Sequence, residues 1–153
     1  METRINFKEK GAGAMNALFS LGKYLSKSTI NPDLLDLIYY RVSQINQCCF
    51  CLDMHSKDLM SKGENPQRLF LLDAWREAPF FSGKERAALA FAESLTKLSG
   101  GLMPETIYNE AAKHFSEEEL IDLAVAVITI NSWNRVNIAF GAEVGTYQVG
   151  QYN

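Results

Sequence analysis

Arg41 to Met60 reads RVSQINQCCFCLDMHSKDLM, and it holds all three cysteines of the chain, Cys48, Cys49 and Cys51, with one of the two histidines at His55. Read as a helix, Cys48, Cys51 and His55 are spaced i, i+3 and i+7, which puts them on one face at ~100° per residue. Asn46 reads as the N-cap, and no Gly or Pro interrupts the stretch until Gly63, where a left-handed C-terminal cap fits. Cys48 is then expected in the first helical turn, where unpaired N–H groups and the macrodipole stabilise a thiolate. Two thiols one turn apart can close a disulfide, and a histidine one turn further on can take or return a proton. This is a redox constellation carried on a helix.

Helical signals extend outward on both sides. Met15, Leu18, Phe19, Gly22 and Leu25 give a helix ending near Lys27, and residues 1–12 before it are polar and read as a loosely held terminus. Asn31-Pro32 starts the helix whose face carries Leu34, Leu35, Ile38, Val42 and Ile45, and Asn65-Pro66 starts one with Leu69, Leu72 and Trp75 that stops before Pro79. Ser82 with Glu85 and Ser116 with Glu119 are capping boxes. The first opens a helix to Gly100-Gly101 and the second a long apolar helix to about Phe140, with a short helix after Pro104 between them. Residues 141–153 read as a tail or an arm reaching a neighbour. No stretch alternates convincingly with a period of two residues, so the expectation is a single all-α domain, residues 1–153, of about seven helices, with flexible or interface-forming termini.

Composition narrows the function. A net charge of -3 with no basic run argues against nucleic acid. The longest stretch that is apolar but for one threonine, Leu123 to Ile130, spans eight residues, far short of a membrane span, and the N-terminus lacks the apolar core of a signal peptide. Three clustered cysteines are the wrong arithmetic for a secreted disulfide framework, so a cytoplasmic protein is expected. Two buried core thiols are the plain alternative to a redox pair. Zinc would want four ligands, where Cys48, Cys51 and His55 supply three, so neither metal nor cofactor is expected. Cys49 turns away from Cys48 and reads as a non-catalytic thiol, His114 as a charge partner near a helix end, and Met54 and Leu59 as core. Asp36, twelve residues before Cys48, can come beside His55 across a tight interhelical turn and fix its tautomer, although by spacing alone it reads as a solvated aspartate. Asn131, Asn134 and Arg135 share a face and imply a hydrogen-bonded network or a subunit contact. The aromatic residues Trp75, Phe80 and Phe81 are expected to form an exposed patch that favours assembly.

Arg41-x-Ser43-x-x-Asn46 followed by Cys48-x-x-Cys51-x-x-x-His55 resembles the core motif of the alkylhydroperoxidase D-like family, also called the carboxymuconolactone decarboxylase family. The likeness extends through Ala74 to Phe81 and Asn131 to Asn137. It implies an all-helical fold assembling into homo-trimers or hexamers. In the redox branch it implies that Cys51 attacks a hydroperoxide, that Cys48 resolves it as a disulfide, and that His55 relays the proton. A dithiol protein, lipoyl-bearing or thioredoxin-like, then acts as reductant. Two positions depart from the family pattern: Asp36 stands for its usual glutamate, and Phe50 for a histidine some members carry. Both predict a weak peroxidase. The family's cofactor-free lyases generally lack the paired cysteines, so a lyase is the lesser reading, beside a non-enzymatic helical oligomer that retains the motif.

Overall fold

Both capping boxes form in the computed structural model, which describes residues 3–152. The N–H groups of Glu85 and Glu119 each donate to the capping serine hydroxyl at 3.2 Å, and the serine N–H groups donate back to the glutamate carboxylates at 2.7 and 3.0 Å. Each box therefore satisfies backbone donors that a helix start leaves unpaired. Asn31 and Asn65 cap their helices through the side-chain oxygen, each with proline directly after.

The described residues form eight α-helices and two short 3₁₀ turns: α1 Phe7–Lys10, α2 Ala12–Leu25, α3 Pro32–Ile45, α4 Cys49–Ser61, α5 Pro66–Phe70, α6 Gly83–Lys97, α7 Glu105–Ala111 and α8 Glu117–Phe140. The central helix is α3, which packs on α4, α6 and α8. Its Leu37, Ile38 and Val42 are at most 1% exposed, and Leu89 of α6 and Leu123 of α8 bury against the same core. Helix α8 is apolar nearly all round, so its inner face fills the core and its outer face leaves Ile121, Ile128 and Ile138 exposed.

The structure departs from sequence expectation in four places. Asn46 is not the N-cap of α4 but closes α3. Its amide donates to Asn131 and Asn134 of α8, both at 2.9 Å, and those bonds hold it away from a capping position. The helix expected to run on from Pro66 breaks after Phe70 and resumes as a 3₁₀ turn at Leu72–Ala74, which drives Leu72 and Trp75 into the core. Trp75 and Phe81 are therefore buried within the chain, and only Phe80 of the expected aromatic patch is exposed. Within the N-terminal stretch, Phe7 is buried and packs in a tilted arrangement on Phe140, 5.8 Å between ring centroids, while the Arg4 N–H donates to the Phe140 carbonyl at 2.9 Å. The beginning of the chain thus packs against the end of α8. Among the described residues, no helix is long and apolar enough to cross a membrane.

Candidate active site

One residue reverses the chain between α3 and α4. Gln47 takes the left-handed conformation (φ 55°), and the Cys48 N–H donates to the Ser43 carbonyl at 3.1 Å, locking the turn. The left-handed region costs a non-glycine residue roughly 1–2 kcal/mol, here offset by the hydrogen bonds on either side of it. Cys48 becomes the N-cap of α4, one position before the first turn where it is expected, so its sulfur still lies against a helix start. Cys48 and Cys51 face inward, each 1% exposed, and are joined by a disulfide with Cα atoms 5.3 Å apart. Cys49 points outward as a free, exposed thiol.

Helix α8 supplies the next group. The Asn137 side-chain amide, itself buried, donates to Cys51 Sγ at 3.3 Å. A donor aimed at this sulfur favours its thiolate once the disulfide is reduced. Cys51, His55 and Asn137 lie on the wall of a cavity of about 200 Å³, while Cys48 stays behind the wall. Met15 and Phe19 from α2, Met54 from α4 and Ile130 and Trp133 from α8 make the cavity apolar, with Lys8 and Tyr152 also on its lining. Met54 therefore lines the cavity rather than filling the core, whereas Leu59 is core as expected.

His55 is buried at 7% exposure, and neither ring nitrogen has a hydrogen-bond partner among the described residues. The Tyr39 ring lies beside it, 5.4 Å between centroids. Burial, with a smaller contribution from the positive charge of Lys62, pushes its pKa down to about 4. At neutral pH the imidazole is uncharged and able to accept a proton.

Asp36 does not hydrogen-bond to His55. Its carboxylate accepts from Lys62 Nζ. Burial raises the Asp36 pKa, and Lys62 opposes the rise. The shorter side chain at position 36 is thus held by Lys62, a residue sequence reading passed over. Lys62 follows His55 by seven residues, two turns along the same helix, and that spacing is the signal that could have found it. Asn137 was legible only as part of a polar stretch on α8. Its neighbours Asn131 and Asn134 do form the expected network, with Asn46, Ser43 and Arg135. His114 lies 3.5 Å from Glu110 on α7, as expected of a charge partner.

The C-terminal segment returns to α4. The Tyr147 hydroxyl donates to Asp58 at 2.7 Å, and the Gly145 N–H donates to Asp53 at 3.2 Å. Tyr152 stacks on Tyr147 at 5.7 Å and accepts a 2.5 Å hydrogen bond from Lys8 of α1.

The sequence profile of the carboxymuconolactone decarboxylase family matches residues 12–94. The uncharacterized protein YdfG of Bacillus subtilis is 39% identical over 141 residues, covering 92% of this chain and 96% of YdfG. Among solved structures, a protein of unknown function from Agrobacterium tumefaciens, proposed to be the antioxidant defence protein AhpD, superposes with a TM-score of 0.90 at 34% identity, over 95% of this chain and 100% of that one. The debrominase Bmp8 shares the fold at a TM-score of 0.78 and 23% identity, over 90% of this chain and 74% of its own.

Proposed function

The chain belongs to the carboxymuconolactone decarboxylase family, and from that premise we propose that it is a thiol-dependent peroxidase and disulfide oxidoreductase of the AhpD-like kind. The observation that carries this reading is the Cys48–Cys51 disulfide, whose Cys51 end meets an apolar cavity beside a buried, neutral histidine. A lyase has no use for a buried sulfur pair aligned with a proton acceptor. Likeness, at 34% identity, to a protein of unknown function proposed to act in antioxidant defence points the same way.

Starting from the dithiol, His55 takes the proton of the Cys51 thiol, and the Asn137 amide stabilises the resulting thiolate. The thiolate attacks the terminal oxygen of a hydroperoxide R–O–OH. A sulfur–oxygen bond forms, the O–O bond breaks, and the sulfur gives up two electrons. The leaving alkoxide takes the proton from the imidazolium and departs as the alcohol. Cys48 then attacks the Cys51 sulfenic acid, the disulfide closes, and water leaves. A dithiol partner, lipoyl-bearing or thioredoxin-like and supplied in the cytoplasm, returns the two electrons by thiol–disulfide exchange. Cys51 is assigned the attacking role because it reaches the cavity and Cys48 does not. Asp36 acts at one remove, by holding Lys62. The test is hydroperoxide consumption driven by a dithiol reductant. Cys51→Ser should abolish it, and turnover of a lactone acid by the double-cysteine variant would replace this reading with the lyase.

The same proposal includes a homo-oligomer. The exposed apolar side chains of Ile121, Ile128 and Ile138 on α8, with Phe19 and Tyr24 on α2, are the kind of surface that association covers. They take the place of the aromatic patch expected around Trp75. Light scattering at low micromolar concentration should give a trimer or hexamer, and a monomer would contradict it.

A further inference from the structure

Among the described residues that line the active-site cavity, Lys8 alone carries a formal charge, since His55 is neutral and none of the others is a carboxylate. The Lys8 ammonium is held in place. It donates to the Tyr152 hydroxyl at 2.5 Å and lies 4.6 Å from the centre of the Tyr152 ring, and among the described residues it has no carboxylate partner. Lys57 and Lys62 on α4 and its C-terminal end are, by contrast, already paired, with Asp53 and Asp36. Tyr152 is in turn stacked on Tyr147, which is tied to Asp58. Lys8 is exposed whereas the cavity wall behind it is apolar, so the charge sits at the mouth. The chain therefore presents a positioned cation at the opening of an apolar chamber whose inner wall bears Cys51 and His55.

From this arrangement we propose that the organic substrate is an amphiphilic anion: an apolar ring or short acyl body that fills the cavity, with a carboxylate that pairs with Lys8. The inference deepens the peroxidase reading and rests on it for the reacting group, a hydroperoxide presented to Cys51. Size agrees. An apolar cavity of about 150 Å³ is enough to hold benzene, so about 200 Å³ accepts a substituted ring or a comparable acyl chain. The phenol of Tyr152 leaves the lysine its charge and fixes its direction, and an incoming carboxylate can share the ammonium's remaining donors.

Two measurements test it on the full-length protein. The first is binding to the disulfide form by calorimetry, which needs no turnover. The probes are 4-isopropylbenzoate and the uncharged 4-isopropylbenzamide, which share one apolar body. The benzoate should bind about fivefold more tightly, the upper end for an exposed ion pair. The preference should shrink as salt is raised, vanish in Lys8→Gln and survive in Lys8→Arg. Equal affinities in the wild-type protein, or an anion preference that persists in Lys8→Gln, would overturn the proposal. The second measurement is kcat/KM for cumene hydroperoxide and its para-carboxylate. Lys8→Gln should lower the ratio of the carboxylate's value to that of cumene hydroperoxide by about the same factor. Consumption of both at equal rates sinks the anion preference alone. Consumption of neither, with the binding preference intact, sinks the peroxidase reading and leaves the cation site standing.

Discussion

Arg41 and His55 are both buried, at 5% and 7% exposure, yet their surroundings are opposite. Arg41 donates from Nε to Glu93 at 2.7 Å and from a terminal nitrogen to Gln44 at 3.0 Å. Glu93 also accepts from Trp75 at 2.8 Å and pairs with Arg76 at 2.8 Å. Among the described residues His55 makes no such bond, and one side of it is cavity. Buried polar groups are expensive unless paired, so the first cluster is architecture, tying α3 to α6 and to the 3₁₀ turn before Trp75. The second is a group kept ready for something that enters the cavity. Both belong to the sequence stretch that begins at Arg41, and the proposed mechanism assigns chemistry to only one of them.

Breaking the paired cluster should have the largest effect. Arg41→Ala takes from the buried Glu93 carboxylate one of its two guanidinium partners and should cost about 3–5 kcal/mol in urea unfolding. A loss below 1 kcal/mol would mean that the network is not structural. Acidification should separate the clusters by pH. The folded-state pKa of His55, about 4, lies below its ordinary 6.5, so the unfolded chain binds its proton first as pH falls. Stability from this residue is complete above 6.5, declines through the window down to 4, and is flat below. The decline should be roughly 3 kcal/mol, and His55→Gln should lack it. Glu93 shifts in the same direction as His55, downward, but through its partners and against its burial. Although burial pushes its pKa up, bonds from Trp75, Arg76 and Arg41 bring the net below the ordinary value, so its contribution is lost only at still lower pH, as the folded pKa is crossed. Unfolding measured from pH 7 to 3 in wild type and His55→Gln would resolve the two windows.

Activity should respond the other way round. His55→Ala should slow the reaction of reduced protein with hydroperoxide by about 10²-fold, while costing much less stability at pH 7 than Arg41→Ala. Stopped-flow kinetics and urea titration on the same preparation would check both halves. The smallest effects should come from the Asp36–Lys62 pair. Lys62→Met removes a positive charge that lowers the His55 pKa and should move it up. Asp36→Asn leaves that charge uncompensated and should slow the reaction by a small factor. Histidine-ring NMR titration would follow the first and the same kinetics the second. No movement in either would detach the pair from the site.

Much of this was legible in the chain. Caps and apolar spacing act over three or four residues, so Ser82, Ser116, Asn31 and Asn65 announced their helices correctly. The Cys51 and His55 spacing likewise put both side chains on the cavity wall, with Cys48 joined to Cys51 behind it. Asn46 misled because its preferred partners, Asn131 and Asn134, lie 85 and 88 residues away, and a long-range bond overrode a local propensity. Trp75 misled similarly, since its indole N–H finds Glu93 only once α6 has folded alongside. Asp36 does not bond to His55 because Lys62, two turns beyond His55 on the same helix, takes its carboxylate, a pairing across 26 residues that local spacing on α3 does not encode. The cavity itself is assembled from α1, α2, α3, α4, α8 and the C-terminal segment, and no local pattern encodes it.

The most direct test of the central claim is a single turnover without reductant partner. Fully reduced protein is mixed with one equivalent of cumene hydroperoxide, and thiols, alcohol and non-reduced peptides are counted. The site described here predicts that two of the three thiols per chain disappear and one alcohol forms. The bridge should be Cys48–Cys51, with Cys49 still free. Retention of all three thiols, or a bridge through Cys49, would contradict it.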